Sequence, residues 1–239
     1  VGKASQKGRL IMLLKHSVFY ESMFPAGLNH KNDSVMPDDF ALRRIVHYAV
    51  PPTLSLEETP LVLFDTETTG LDSDLDRIIE FGALKVVGGK VIDEFWSFVS
   101  TDIELSQNIT NLTKITQDML QGAPNIEDVL PKFLDFIRGS VIVAHNAEFD
   151  MSMLKASANR LGFEINWPAF CTVRLARKVL PGLPNYKLDT LAEHFKLSFE
   201  ARHRAVGDVK VLNSILQEFL SNEEFGIMTW ADVSDCSVG

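Results

Sequence analysis

Acidic residues stand at the ends of two apolar runs in this chain, and chemistry can be argued from them. The first run, Leu61-Val62-Leu63-Phe64, follows Pro60 and leads into Asp65-Thr66-Glu67-Thr68-Thr69-Gly70. It is long enough for a buried strand, too short for a helix, and ends in turn chemistry. Side chains alternate on an extended backbone, so Asp65 and Glu67 project from one side with Cα atoms about 7 Å apart. Two carboxylates so placed repel each other unless a cation lies between them, and the hard, oxygen-preferring ions Mg²⁺ and Mn²⁺ suit that place. An Asp-x-Glu pair alone is also an ordinary solvated strand end, so its weight comes from what lies downstream.

The second run, Ser140 to Ala144, also leads straight into polar residues, His145-Asn146-Ala147-Glu148-Phe149-Asp150, and a third acidic element reads His203-Arg204-Ala205-Val206-Gly207-Asp208. Five residues at about 100° each put His203 and Asp208 about 140° apart on an ideal helix, so both face one site only if His203 sits at the irregular start. Each residue also has a plain structural explanation. Asp150 is then an acid favoured by a helix N-terminus, Asp208 a capping or salt-bridged acid, and His203 a polar residue at a helix entry.

The elements that must position these residues are legible. After a polar turn at Asp72 to Asp76, Arg77 to Val87 reads as a strand, Gly88-Gly89 as a hairpin turn, and Val91 to Val99 as the returning strand. Asn108 to Leu120 reads as short helical turns. Asn125 caps a helix with Ile126, Val129, Leu130, Phe133, Leu134 and Ile137 on one face and Pro131 inside it, ended by Gly139. A helix runs from the second motif to Leu161, stopped by Gly162, and Ala169 to Thr172 gives a last short strand. Helices over 173–180 and 187–195 follow, then a long one over 203–220. An initial meander followed by alternating strands and helices specifies an α/β layered fold with a mixed sheet. Acids at the ends of two strands then converge at one edge, where open α/β sheets place their sites.

Composition narrows the function classes. The 239 residues, 46% hydrophobic, suffice for one domain with an appendage, and no apolar stretch approaches the length of a membrane span. The reading is residues 1–59 as a helical N-terminal extension, 60–220 as the domain carrying all three acidic elements, and 221–239 as a C-terminal tail. In the extension, Leu10, Leu13, Leu14 and Val18 form one helical stripe, and Leu42, Ile45, Val46 and Ala49 another, ended by Pro51-Pro52. Lys15 and His16 cut the apolar run at Leu10 to Leu14 short, so no export signal is expected. Cys171 and Cys236 are the two cysteines, without a metal-ligand spacing, which suits a reducing compartment such as the cytoplasm. The net charge is −9, and seven Lys/Arg against six Asp/Glu in residues 1–60 leave 16 basic and 26 acidic residues for the rest. That field repels polyphosphate, so the chain either binds no nucleic acid or holds a few nucleotides through metal ions and local contacts.

The ordered set Phe-Asp65-Thr-Glu67-Thr-Thr-Gly70, His145-Asn146-Ala-Glu-Phe-Asp150 and His203-Arg-Ala-Val-Gly-Asp208 resembles the three motifs of the DEDDh, DnaQ-like 3′-to-5′ exonucleases. The resemblance covers about residues 60–220. Leu112-Thr-Lys-Ile-Thr-Gln-Asp-Met-Leu120, Val129-Leu-Pro-Lys-Phe-Leu134 and Tyr186-Lys-Leu-Asp-Thr-Leu-Ala192 are most similar to the proofreading exonucleases of bacterial replicative polymerases. Two residues depart from that pattern: Lys114 stands where such relatives often have Gly, and Val209 where a small Ala often follows the last Asp.

The resemblance implies an RNase H-like fold, with a mixed five-stranded sheet and helices on both faces. It makes Asp65, Glu67, Asp150 and Asp208 ligands of two Mg²⁺ or Mn²⁺ ions and His203 the general base. It places Thr68, Thr69, Gly70, Leu71, Asn146 and Phe149 against a terminal nucleotide. The expected substrate is the single-stranded or frayed 3′ end of DNA, released as nucleoside monophosphates, with a DNA polymerase as the expected partner and no membrane. An RNA exonuclease on the same fold is the rival within the class. A catalytically silent binding module is the rival outside it, and intact acids with His203 disfavour that.

Overall fold

The run after Pro60 forms the first strand, β1 (Leu61–Thr68), and it continues through both acids instead of stopping at Phe64. The computed structural model describes residues 50–198 and 203–238. β2 (Ile78–Val87) and β3 (Lys90–Phe98) form the expected hairpin. Gly88 and Gly89 turn it with φ of 55° and 71°, the pair of positive dihedrals that matches the twist of the flanking strands. β4 (Val141–Ala144) runs parallel to β1, and β5 (Ala169–Cys171) parallel to β4. β6 (Ser237–Val238) lies antiparallel to β5, so the order is β3-β2-β1-β4-β5-β6.

The sheet therefore has six strands, one more than expected. The extra strand comes from residues 221–239, where the sequence reading placed no element. A two-residue strand carries no period to read. Its place is fixed by tertiary bonds: Arg174 Nη1 donates to the Ser237 carbonyl at 2.6 Å, and Lys178 Nζ reaches Asp235 at 3.1 Å.

The helices are α1 (Gln107–Thr113), α2 (Gln117–Leu120), α3 (Ile126–Phe136), α4 (Ala147–Arg160), α5 (Thr172–Val179), α6 (Leu188–His194), α7 (Ala205–Ser221) and α8 (Trp230–Val233). Ser106, Thr116 and Asn125 cap the first three, each side-chain oxygen accepting a backbone N–H of the first turn. Lys114 ends α1 at φ 61°, in the left-handed region that costs a side chain about 1–2 kcal/mol and suits glycine. Its Nζ donates to the Asn111 carbonyl at 2.7 Å, which offsets part of that cost.

Register decides what each face of the sheet carries. Phe64, Phe81 and Phe95 lie on one face and pack around Phe133 of α3, with ring centroids 4.7, 5.0 and 5.3 Å away. On the opposite face, cross-strand partners form two rows, Asp65-Gly82-Trp96 and Glu67-Glu80-Phe98. Helix α7 covers that face, so helices flank the sheet on both sides as expected. The helical stripes read at 10–18 and 42–49 lie outside the described residues. Among the described residues no helix is long and apolar enough to cross a membrane.

Candidate active site

Pairing between β1 and β4 stops at Phe64 and Ala144, so the last four residues of β1 project beyond its parallel neighbour. Asp65 and Glu67 stand on that projecting end, on the face that α7 covers. Asp208 sits in the first turn of α7, and carboxylate oxygens of Asp65, Glu67 and Asp208 all lie within 4.8 Å of one another. Asp150, in the first turn of α4, is outside that group. Its Oδ1 accepts the Thr66 backbone N–H at 3.0 Å and the Thr66 hydroxyl at 2.9 Å, so it caps an edge that β4 leaves open. Its charge still reaches Asp65 and raises that carboxyl's pKa.

The exonuclease family's sequence profile matches residues 62–216. Among curated proteins, the PolC-type DNA polymerase III of Caldanaerobacter subterraneus subsp. tengcongensis is 44% identical over 178 residues, 74% of this chain and 13% of that protein. The chain belongs to the DnaQ-like family of 3′-to-5′ exonucleases. A structure of Exonuclease X in complex with 5′ overhanging duplex DNA aligns with a TM-score of 0.60 at 29% identity, covering 73% of this chain and 98% of that one. The nuclease domain of 3′hExo, a DEDDh family member bound to rAMP, aligns with a TM-score of 0.61 over 68% of this chain and 92% of that one; at 19% identity the likeness is one of fold. These neighbours bear out the RNase H-like expectation. The chain spans about an eighth of the length of the polymerase relative it matches.

Exonucleases of this family generally use divalent metal ions, and the donor set of this chain fits one. Burial first, then Asp150, Glu67 and Asp208, push the Asp65 carboxyl well above the usual range. Burial and then Asp208, Glu80 and Asp150 raise Glu67 from its ordinary 4.5 to about 8, with the Arg204 guanidinium working the other way. Burial lifts Asp150 to about 7 against the lowering effect of the Thr66 bonds. Oxygens packed this closely hold protons, or a hard cation in their place.

The sign of the pH dependence follows. Carboxyls whose pKa rises on folding hold extra protons in the folded state, so the metal-free protein loses stability as pH climbs from 4.5 through about 8. A divalent ion relieves that repulsion and competes with those protons. The melting temperature is therefore expected to rise little on adding Mn²⁺ at about pH 6, and several-fold more at about pH 8.5. Paired thermal melts with Mn²⁺ and with chelator check this. A metal shift that is equal at both pH values would contradict it.

The remaining expected residues lie on or next to the elements that carry the acids. His203 sits one residue before the N-cap of α7, half-buried, at φ 57°, which is the irregular helix start that its spacing from Asp208 requires. Thr68 is buried, and the Thr69 hydroxyl donates to Asp76 at 2.7 Å. A Cβ on Gly70 would lie 2.4 Å from Asp76 Oδ2, so a side chain there would displace the carboxylate that binds the Thr69 hydroxyl and the Asp72 N–H. The loop presents Leu71, 86% exposed, and Leu75, 70% exposed. Asn146 is exposed in a left-handed conformation at the head of α4, and Phe149 is half-buried one turn on.

Sequence reasoning missed Glu80. It is fully buried on β2 directly across from Glu67, and it binds Arg204 through Nη2 at 2.8 Å. A signal was available: an acid inside Ile78-Ile79-Glu80-Phe81-Gly82-Ala83-Leu84, a strand apolar on both faces, must have a partner.

Proposed function

We propose that this chain hydrolyses DNA from a free 3′ end, releasing nucleoside monophosphates one at a time, as the proofreading or repair nuclease working with a DNA polymerase in the cytoplasm. The observation that carries the reading is the convergence of Asp65, Glu67 and Asp208 within 4.8 Å at the projecting end of β1. The loop carrying exposed Leu71 and Leu75 follows directly. The PolC-type relatives support the polymerase setting, and the Exonuclease X complex supports a DNA substrate.

In this mechanism Asp65, Glu67, Asp150 and Asp208 would hold two Mg²⁺ or Mn²⁺ ions. When bound, those ions acidify a water and stabilise charge on the phosphate and on the departing 3′ oxygen. The water oxygen bonds to phosphorus, the P–O3′ bond breaks with its electron pair going to O3′, and O3′ takes a proton from solvent to become the 3′-hydroxyl of the shortened strand. His203 takes the water's proton, since an imidazole is the side chain that accepts one near neutrality. Thr68 to Leu71, with Asn146 and Phe149, seat the terminal nucleotide: Leu71 offers a base an apolar face, and the short contact area suits a protein of net charge −9.

The test is digestion of 5′-labelled single-stranded DNA and RNA of one sequence, with a covalently closed circle alongside and Mg²⁺ or Mn²⁺ present. Stepwise shortening of the DNA from its 3′ end, with the circle untouched, is expected. Faster digestion of RNA would move the substrate assignment to RNA, and cleavage of the circle would refute the exonucleolytic reading.

A further inference from the structure

The Glu80 carboxylate receives four donors from two other elements. Arg204 gives Nη2 to Oε1 at 2.8 Å and Nε to Oε2 at 3.1 Å, the Ala205 backbone N–H reaches Oε2 at 3.1 Å, and Trp96 Nε1 reaches Oε1 at 2.7 Å. Arg204 is the N-cap residue of α7 and supplies no side-chain cap of its own. The cap for the first helical N–H thus comes from β2, 125 residues away in sequence. The guanidinium lies over the Phe98 ring, 5.2 Å from its centroid, and the Trp96 and Phe98 rings meet edge to face at 5.0 Å.

A second contact holds the same turn. A Cβ on Gly82 would lie 2.5 Å from the Ala205 carbonyl carbon and 2.7 Å from the Ala205 Cβ, so the start of α7 rests directly on the β2 backbone. Gly82 is the cross-strand partner of Asp65, and Glu80 that of Glu67. The two β2 residues opposite the β1 acids are therefore the two that seat the helix carrying Asp208. His203 stands one residue before Arg204, in the left-handed region at φ 57°.

We propose that Glu80 is a positioning residue: paired with Arg204, it clamps the first turn of α7 to β2 and so sets where Asp208 and His203 stand relative to Asp65 and Glu67. The proposal rests on the hydrolytic reading of that site. The clamp has a load to bear, because Asp208 approaches two carboxylates that repel it and each other. A negative group fixed across the N-terminus of α7 also interacts favourably with the helix dipole, and Arg204 balances its charge toward Glu67.

The test compares Glu80→Gln, Arg204→Gln and the double variant with the wild type. The readouts are backbone hydrogen exchange over residues 203–209 in the metal-free protein, Mn²⁺ affinity, and kcat and KM on a 5′-labelled single strand. A positioning role predicts the same direction in both single variants. Exchange in the first turn of α7 speeds up, Mn²⁺ binds more weakly, and kcat falls about 10- to 100-fold with KM nearly constant. The double variant is no worse than the more damaged single one, because both remove one clamp.

A role through charge alone predicts opposite signs. Glu80→Gln leaves an uncompensated cation and weakens Mn²⁺ binding, Arg204→Gln leaves an uncompensated anion and strengthens it, and the double variant returns to wild type. That pattern overturns the proposal, as does a lower melting temperature with unchanged kcat and unchanged exchange at 203–209. Should Glu80→Gln fail to fold, Arg204→Gln carries the test, since the half-exposed guanidinium can be shortened while Trp96 and Ala205 still bind Glu80. A wild-type protein inactive on every nucleic acid would count against the hydrolytic reading, and the exchange and Mn²⁺ measurements would still judge the clamp.

Discussion

Asp65→Asn, Glu67→Gln and Asp208→Asn are each expected to cut DNA digestion by about 10³-fold or more at saturating Mg²⁺. The three carboxylates share one small volume, and groups that act as a unit lose most of their effect with the first removal. The double variant Asp65→Asn/Asp208→Asn is accordingly expected to be no slower than either single one. Stability should move the other way. The raised carboxyl pKa values mean that the ionised cluster opposes folding at high pH, so replacing Asp65 or Glu67 by its amide is expected to raise the melting temperature of the metal-free protein at about pH 8.5. Loss of activity with gain of stability separates a functional cluster from a structural one. Near wild-type turnover in any of the three would remove that residue from the site.

Asp150 needs a different pair of substitutions because it has two roles. Asp150→Asn keeps an oxygen for the Thr66 N–H and hydroxyl while removing the charge, so it should lose activity and, as for Asp65, melt no lower than the wild type at about pH 8.5 without metal. Asp150→Ala also strands a buried Thr66 N–H, at a cost of about 1–3 kcal/mol in stability.

How far the sequence could be read depended on whether a signal was local. The strand run at 61–64, the Gly88-Gly89 turn, the Asn125 cap and the Gly162 stop each report on neighbouring residues, and each element stands where its local chemistry puts it. The Asp65 and Glu67 side chains share a face because strand alternation requires it, which made the start of the site legible. The partner of Glu80 lies 124 residues away, and nothing in the spacing of Glu80 and Arg204 reports that they meet. The strand β6 is two residues long and exists through contacts with α5 and β5, which no periodicity encodes. Lys114 shows the converse: its departure from the family's glycine was visible in the sequence, but its meaning, a left-handed helix end held by its own ammonium, needed the backbone dihedral.

His203→Ala is expected to lower turnover by about 10²- to 10⁴-fold, the range for a positioned general base, while Mn²⁺ affinity stays close to wild type because the carboxylates remain. The pH profile tests the role, provided that two sources of an acid limb are separated. Protons compete with the ion for carboxyls such as Glu67, whose pKa is pushed up to about 8, so that part of the limb moves to lower pH as Mn²⁺ is raised. A base that must be unprotonated to accept the water's proton gives a limb that does not move with metal concentration. At saturating Mn²⁺ the wild type should therefore retain an acid limb and His203→Ala should lack it, with the residual rate flat across that range. A purely structural His203, placed at φ 57° at the entry to α7, would lower the melting temperature and leave the limb in place. A metal ligand would show weaker Mn²⁺ binding, with the rate restored by excess ion. Rate against pH at two Mn²⁺ concentrations, with melts alongside, distinguishes the three. An unshifted limb that survives His203→Ala would assign the proton to some other acceptor.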